Sequence, residues 1–74
     1  MPNRTLRLNY PAALLRQPIL QQLIRKFNVS VNIVRAQITL EEGWLEIEVE
    51  GDDGELARAE DWLKGQGIEV LLIE

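Results

Sequence analysis

The three glutamates Glu46, Glu48 and Glu50 alternate along one segment and are the side chains best placed for acid–base chemistry. In an extended strand their carboxylates would share one face, roughly 6–7 Å apart. A carboxylate pair that cleaves a glycosidic bond needs a cleft and one carboxyl whose pKa is raised by burial. A single flat layer of 74 residues offers no such cleft. We therefore expect these glutamates to pair with Arg7 and Arg35 on neighbouring strands, without a catalytic role.

Cysteine and histidine are both absent from the sequence. Their absence excludes serine–histidine and cysteine–histidine catalysis, disulfides, iron–sulfur clusters and the usual zinc sites. We expect no metal, no cofactor and no enzymatic activity. A chain of 74 residues has room for only one core, so residues 1–74 should form a single domain. Oligomerisation is then the remaining source of extra stability.

The charges are distributed unevenly along the chain. Residues 1–40 carry six basic side chains and no acidic one, whereas residues 41–74 carry all 12 acidic side chains. Either the two halves interleave in one fold with opposite charges apposed, or the first half offers a basic face to an anionic ligand. The net charge of −4 argues against binding to nucleic acid. No apolar run is long enough to insert in a membrane and no signal peptide is evident, so we expect a cytoplasmic location.

Periodicity predicts the first strand and the first helix. Apolar and polar residues alternate from Thr5 to Tyr10, as in a half-buried strand, and Pro11 should end it. Pro18 suits the first turn of a helix whose apolar stripe runs to Phe27, with Asn28 as its cap. The stripe consists of Ile19, Leu20, Leu23, Ile24 and Phe27.

The segment from Val29 to Leu40 changes the parity of its apolar positions. Apolar residues are odd-numbered up to Ile33 and even-numbered from Val34 onwards. One regular half-buried strand cannot do this, because a slip of one residue exchanges its faces. Either a β-bulge near Asn32–Arg35 restores the register, or both faces of the segment are covered, one of them by another chain.

The remainder of the chain predicts a hairpin, a second helix and a last strand. Glu41-Glu42-Gly43 resembles a turn with glycine at a positive φ, followed by a strand up to Glu50. Asp52 should cap a helix that ends at Gly65 or Gly67 and buries Trp62. In the last strand Leu71 and Ile73 face outward.

The order β-α-β-β-α-β predicts an α+β, ferredoxin-like sandwich: a four-stranded antiparallel sheet of order 4-1-3-2 with two helices on one face.

The segment Phe27–Ile38 contains Asn32-Ile33-Val34 and resembles the signature of NIL domains, which are named for an Asn-Ile-Leu motif. Valine replaces the leucine of that motif here. The resemblance covers essentially the whole chain and extends to Tyr10-Pro11, Pro18-Ile19-Leu20, Gly43-Trp44 and Ala59 to Leu63.

This resemblance implies a ferredoxin-like fold similar to that of the amino-acid-binding ACT domains. NIL domains occur at the C-terminus of ATPase subunits of methionine-type ABC importers, precede ferredoxin segments or stand alone. The resemblance thus implies a module that binds methionine or a similar apolar amino acid, with an ABC transporter subunit or a ferredoxin as partner. The alternative is a structural domain that docks a protein through its strand edges and binds no metabolite.

The same segment supplies the predicted site. Asn32 should point away from the core beside the bulge, where its carboxamide either contacts an amino-acid ligand or satisfies the bulged backbone. The predicted ligand-binding residues are Asn32, Ile33, Val34, Arg35, Ala36 and Ile38. The second strand is also the expected seam of a homodimer, because an apolar edge strand favours pairing with a strand of another chain. The predicted interface residues are Val31, Val34, Ala36, Ile38 and Leu40.

Overall fold

The computed structural model describes residues 2–73, which form a four-stranded antiparallel sheet with two helices on one face. In chain order the elements are β1 (Asn3–Pro11), α1 (Ile19–Lys26), β2 (Ser30–Ile38), β3 (Glu42–Glu50), α2 (Asp53–Gly65) and β4 (Glu69–Leu72). The strand order β2-β3-β1-β4 is the predicted one, so the ferredoxin-like α+β fold is confirmed. The end residues 1 and 74 of the predicted domain lie outside the described residues.

The core lies between the sheet and the helices, because alternate residues of the two central strands point towards α1 and α2. Its buried members are Leu6, Leu8, Tyr10, Ile19, Leu23, Val29, Leu45, Ile47, Val49, Leu56, Ala59, Leu63 and Ile68. Trp62, which was expected to be buried, is only partly buried and packs against this cluster, with its ring edge-to-face on Phe27 at a centroid distance of 6.1 Å.

The structure confirms the predicted cap of α2 but not the predicted cap of α1. The Asp52 carboxylate accepts the Glu55 backbone N–H at 2.8 Å and caps α2, as expected. Asn28 does not cap α1, which ends at Lys26 with Phe27 already extended. The Asn28 N–H instead donates to the Glu55 carboxylate at 2.6 Å. This bond, together with Arg58, lowers the pKa of Glu55, so the junction loses stability as the pH falls through the titration of that carboxyl.

The hairpin between β2 and β3 is built differently from the prediction. Thr39 Oγ1 accepts the backbone N–H groups of Glu41 and Glu42, at 3.3 and 3.2 Å. Gly43 is already within β3 and does not have a positive φ, so that expectation was wrong. The glycine instead leaves room for Leu15, since a Cβ at position 43 would lie 2.6 Å from Leu15 Cδ2 and that side chain would have to move. Among the described glycines, the positive φ (96°) belongs to Gly67, just after α2.

Candidate functional site

Of the two explanations that the sequence left open for the change of parity, the structure shows the β-bulge in β2. Ile33 pairs with Ile47 and Arg35 pairs with Glu46, so the register shifts by one residue at Val34. Up to Ile33 the odd-numbered side chains share the helix side of the sheet with the core residues of β3. Beyond the bulge the helix side is taken by Ala36 and Ile38, opposite Leu45 and Gly43. The bulge thus explains the switch of parity in the sequence.

The bulge also divides the predicted ligand residues between the two faces of the sheet. Asn32 and Arg35 pair with Glu48 and Glu46, and all four belong to the open face that the helices leave uncovered. Ile33, Ala36 and Ile38 belong to the helix side. One protomer therefore does not gather the six predicted residues around a single cavity.

The outer part of β2 is apolar and exposed. Ile33 and Val34 are 53% and 51% exposed, Ile38 is 63% exposed, and Leu40 at the hairpin is 97% exposed. In residues 2–73, β2 is the edge strand beside β3, so its other side has no strand partner. Exposed apolar side chains on an unpaired edge are a template for association with another chain.

An apolar cavity of about 220 Å³ lies where the β1–α1 connection meets the start of β3 and the end of β2. Its lining residues are Tyr10, Leu15, Gln17, Pro18, Ile19, Leu20, Gln21, Ile38, Gly43, Trp44 and Leu45. Of the predicted ligand residues, only Ile38 lines it. One feature of the sequence indicates this cavity: the apolar residues between Pro11 and Pro18 belong to no helical stripe.

Two polar features face this apolar cavity. Tyr10 is only 9% exposed, lines the cavity, and its hydroxyl makes no hydrogen bond to another residue in the range 2–73. Burial raises the pKa of Tyr10 to about 12, so the hydroxyl stays neutral and able to donate at physiological pH. The second feature is the start of α1, which has Pro18 as its N-cap, no side-chain cap and no acidic residue in its first turn. The Ile19 N–H donates to the Gln17 carbonyl at 2.8 Å, so the N–H groups of Leu20 and Gln21, together with the helix dipole, favour a negative charge there.

Asn32 lies in a second, more polar hollow of about 250 Å³ on the open face. This hollow is lined by Asn3, Ser30, Val31, Asn32, Glu48 and Glu50. Asn32 Nδ2 donates to Glu48 Oε1 at 3.5 Å, a long hydrogen bond that leaves Oδ1 available as an acceptor. Two carboxylates beside a carboxamide favour a cationic group such as an ammonium.

The open face is held together around Glu46. Its carboxylate, 9% exposed, forms ion pairs with Arg35 and with Arg7, the latter at 3.6 Å. The Arg7 guanidinium also stacks on Trp44, 4.1 Å from the ring centroid. The expected pairing of the strand glutamates with Arg7 and Arg35 thus holds for Glu46. Within residues 2–73 no three carboxylates cluster as a metal site would require.

Neither of the helices described here has the length and apolar character needed to cross a membrane.

Comparisons with known proteins show similarity in sequence and in fold. A family model described as "NIL domain" matches residues 4–71. The methionine import ATP-binding protein MetN 2 of Bacillus licheniformis is 32% identical over 74 residues, covering 95% of this chain. The chain spans only 22% of that relative's length. The crystal structure of the C-terminal domain of an ABC transporter ATP-binding protein from Enterococcus faecalis superposes with a TM-score of 0.84, at 22% identity. The superposition covers 95% of this chain and 82% of that one, and it supports the fold.

Proposed function

The chain belongs to the NIL domain family, and from this premise we propose that it is a non-enzymatic regulatory module for methionine or a similar apolar amino acid. The relative from Bacillus licheniformis is a methionine import ATP-binding protein, which motivates the choice of ligand. An ABC transporter subunit is the proposed partner, with a ferredoxin as the second candidate, and the cytoplasm is the proposed location.

The apolar cavity beside α1 is the observation that carries this proposal. Its walls of leucine and isoleucine suit an aliphatic or thioether side chain. A ligand carboxylate at the mouth would meet the uncapped N–H groups of α1, where the helix dipole favours an anion. The Tyr10 hydroxyl supplies one further hydrogen bond from inside the cavity. An apolar amino acid combines these properties, whereas a charged or large polar side chain does not.

The proposed assembly is a homodimer in which two β2 strands pair antiparallel about a twofold axis near Val34–Arg35. Residues opposite each other in such a pair point to the same face of the sheet. The two β2 strands overlap over the greatest length, with side chains of the same face opposite each other, when Ile38 lies opposite Val31 of the partner subunit. This register places Gln37 opposite Asn32 of the partner subunit. Asn32 of the partner subunit then lies on the open face beside Gln37, one residue from Ile38 but on the other side of the sheet from the cavity, so it would reach the ligand's ammonium group around the exposed edge of β2.

We expect Asn32→Ala to weaken binding of L-methionine by about 1–3 kcal/mol, because the ligand's ammonium group would lose its hydrogen-bond acceptor. The fold should persist, because Asn32 is exposed on the open face. Calorimetric titration measures the affinity, and circular dichroism checks the fold. Gln66→Ala is the matched control, since it removes an exposed carboxamide that lines neither the apolar cavity nor the Asn32 hollow, and it should leave the affinity unchanged.

An unchanged affinity in Asn32→Ala would remove Asn32 from the ligand site. If the variant unfolds, its role is structural. Nuclear magnetic resonance titration of the unmodified chain then tests the function as a whole. Shifts in β2 and around the cavity support a ligand-binding module, whereas silence across the twenty amino acids favours the alternative, a structural docking domain.

A further inference from the structure

Two small charged clusters take no part in the site described so far. The basic end of α1 consists of Arg25 and Lys26, and the acidic tip of the β2–β3 hairpin consists of Glu41 and Glu42. All four residues are exposed. None of them forms an ion pair within 4.0 Å with another of the residues that the structure describes. Other basic residues, such as Arg4 and Arg35, do pair within the protomer.

The register of the β2 seam determines where these clusters lie in the dimer. If Ile38 lies opposite Val31 of the partner subunit, the hairpin tip extends past Ser30 of the partner subunit. A shift of two residues gives the other face-matched register, with Ala36 opposite Val31 of the partner subunit. In either register the tip lies alongside residues 25–28 of the other protomer. These residues are the end of α1 and the start of the α1–β2 connection.

We propose that the acidic tip of each protomer docks on the basic end of α1 in a second copy of this chain. The inference rests on the dimer of the proposed function and adds the contact that fixes its register. The twofold axis would produce the contact twice, so that each dimer joins four carboxylates to four cations. The nearby carboxylate of Glu55 does not compete strongly, because it already accepts from Arg58 and from the Asn28 N–H.

Charge complementarity is the physical reason for committing to a second copy. The tip carries two negative charges beside Leu40, which is 97% exposed. The end of α1 carries two positive charges beside Ile24, which is 48% exposed. Each patch therefore offers an apolar contact together with charges that the other patch neutralises. Opposite charges that fix register are a common device of symmetric interfaces.

A charge-swap series measured by sedimentation equilibrium at low salt tests this contact. The double reversal Glu41→Lys/Glu42→Lys should weaken dimerisation about tenfold, as should Arg25→Glu/Lys26→Glu. Combining all four changes in one chain should restore the affinity, because each tip then meets an oppositely charged helix end again. The control Asp61→Lys/Glu69→Lys makes the same change of net charge on exposed residues away from β2, and should leave the affinity near that of the unmodified chain.

Failure of this inference is distinguishable from failure of the dimer. Suppose that the unmodified chain is dimeric but neither double reversal weakens the dimer, or that the quadruple variant dimerises no more tightly than the double variants. Either result would show that the proposed contact is wrong, while the dimer itself stands. If the unmodified chain is monomeric at high micromolar concentration, the dimer itself is wrong, and this contact with it.

Discussion

The Ile38→Lys variant is expected to be monomeric at concentrations where the unmodified chain is dimeric. Ile38 is 63% exposed on the apolar edge strand and would be covered by the partner's β2. A lysine there would bury an ammonium group without a counter-ion in the seam. Losing a central apolar anchor typically costs about 2 kcal/mol or more, so the dissociation constant should rise by at least roughly 30-fold. Light scattering and sedimentation equilibrium measure the change.

The matched control is Leu71→Lys on the opposite edge strand. Leu71 is 43% exposed and lies in β4 on the open face of the sheet. Its replacement should therefore leave a β2-mediated dimer intact. If Leu71→Lys dissociates the dimer and Ile38→Lys does not, the seam is β4 and the register argument fails. A mass near 8.5 kDa for the unmodified chain would exclude both edges.

The second large effect is expected from Gly43→Val, which should abolish or strongly weaken amino-acid binding. Even a Cβ at this position would lie 2.6 Å from Leu15 Cδ2 and 3.3 Å from Ile38 Cγ1. Leu15 must then move, and the added methyl groups occupy the junction of the apolar cavity with β2. Overpacking of this kind costs about 1–3 kcal/mol, so the fold should survive while the ligand loses its space. We expect an affinity at least roughly 30-fold lower in calorimetry, a change of about 2 kcal/mol.

Gly65→Ala provides the control for Gly43→Val. A Cβ at position 65 meets nothing within 4 Å, so this variant should bind like the unmodified chain. Thermal unfolding of both variants separates loss of binding from loss of folding. Normal affinity in a folded Gly43→Val variant would place the ligand outside the cavity beside α1.

Ligand binding and dimerisation are coupled in this account because Ile38 belongs to both the cavity and the seam. A ligand that contacts both protomers stabilises the dimer by mass action. A regulatory module needs such a link between occupancy and assembly. The unpaired edge of β2, which would be a liability in an isolated domain, thus becomes the element through which a ligand signal could reach a partner protein.

Local patterns in the sequence were sufficient to predict the topology and the bulge. The switch of parity between Ile33 and Val34 has a direct physical cause, because the extra residue of a bulge exchanges the faces of a strand. Asp52 was recognised as a cap because its partner, the Glu55 N–H, is only three residues away. Each of these features depends on residues close together in the chain.

The features that were missed depend on contacts between distant segments. Asn28 interacts with Glu55, which lies 27 residues further along, and so does not cap its own helix. The two glutamates before Gly43 indicate a turn, whereas in the structure Gly43 lies within β3 and leaves room for Leu15 from the β1–α1 connection. The cavity was missed for the same reason, since its walls come from β1, α1, β2 and β3 and the connections between them. Spacing along the chain does not reveal such a convergence.

Calorimetric titration of the unmodified chain with L-methionine is the decisive test of amino-acid binding. We expect saturable binding of one methionine per chain, weaker binding of leucine and isoleucine, and no detectable binding of aspartate or lysine. The cavity beside α1 is apolar and the α1 N-terminus favours a carboxylate, which is the reason for excluding aspartate and lysine; methionine is placed first because it is the proposed ligand. An absence of binding heat with all twenty amino acids at millimolar concentration, from a chain shown to be folded, would contradict the claim that this domain is an amino-acid-binding module.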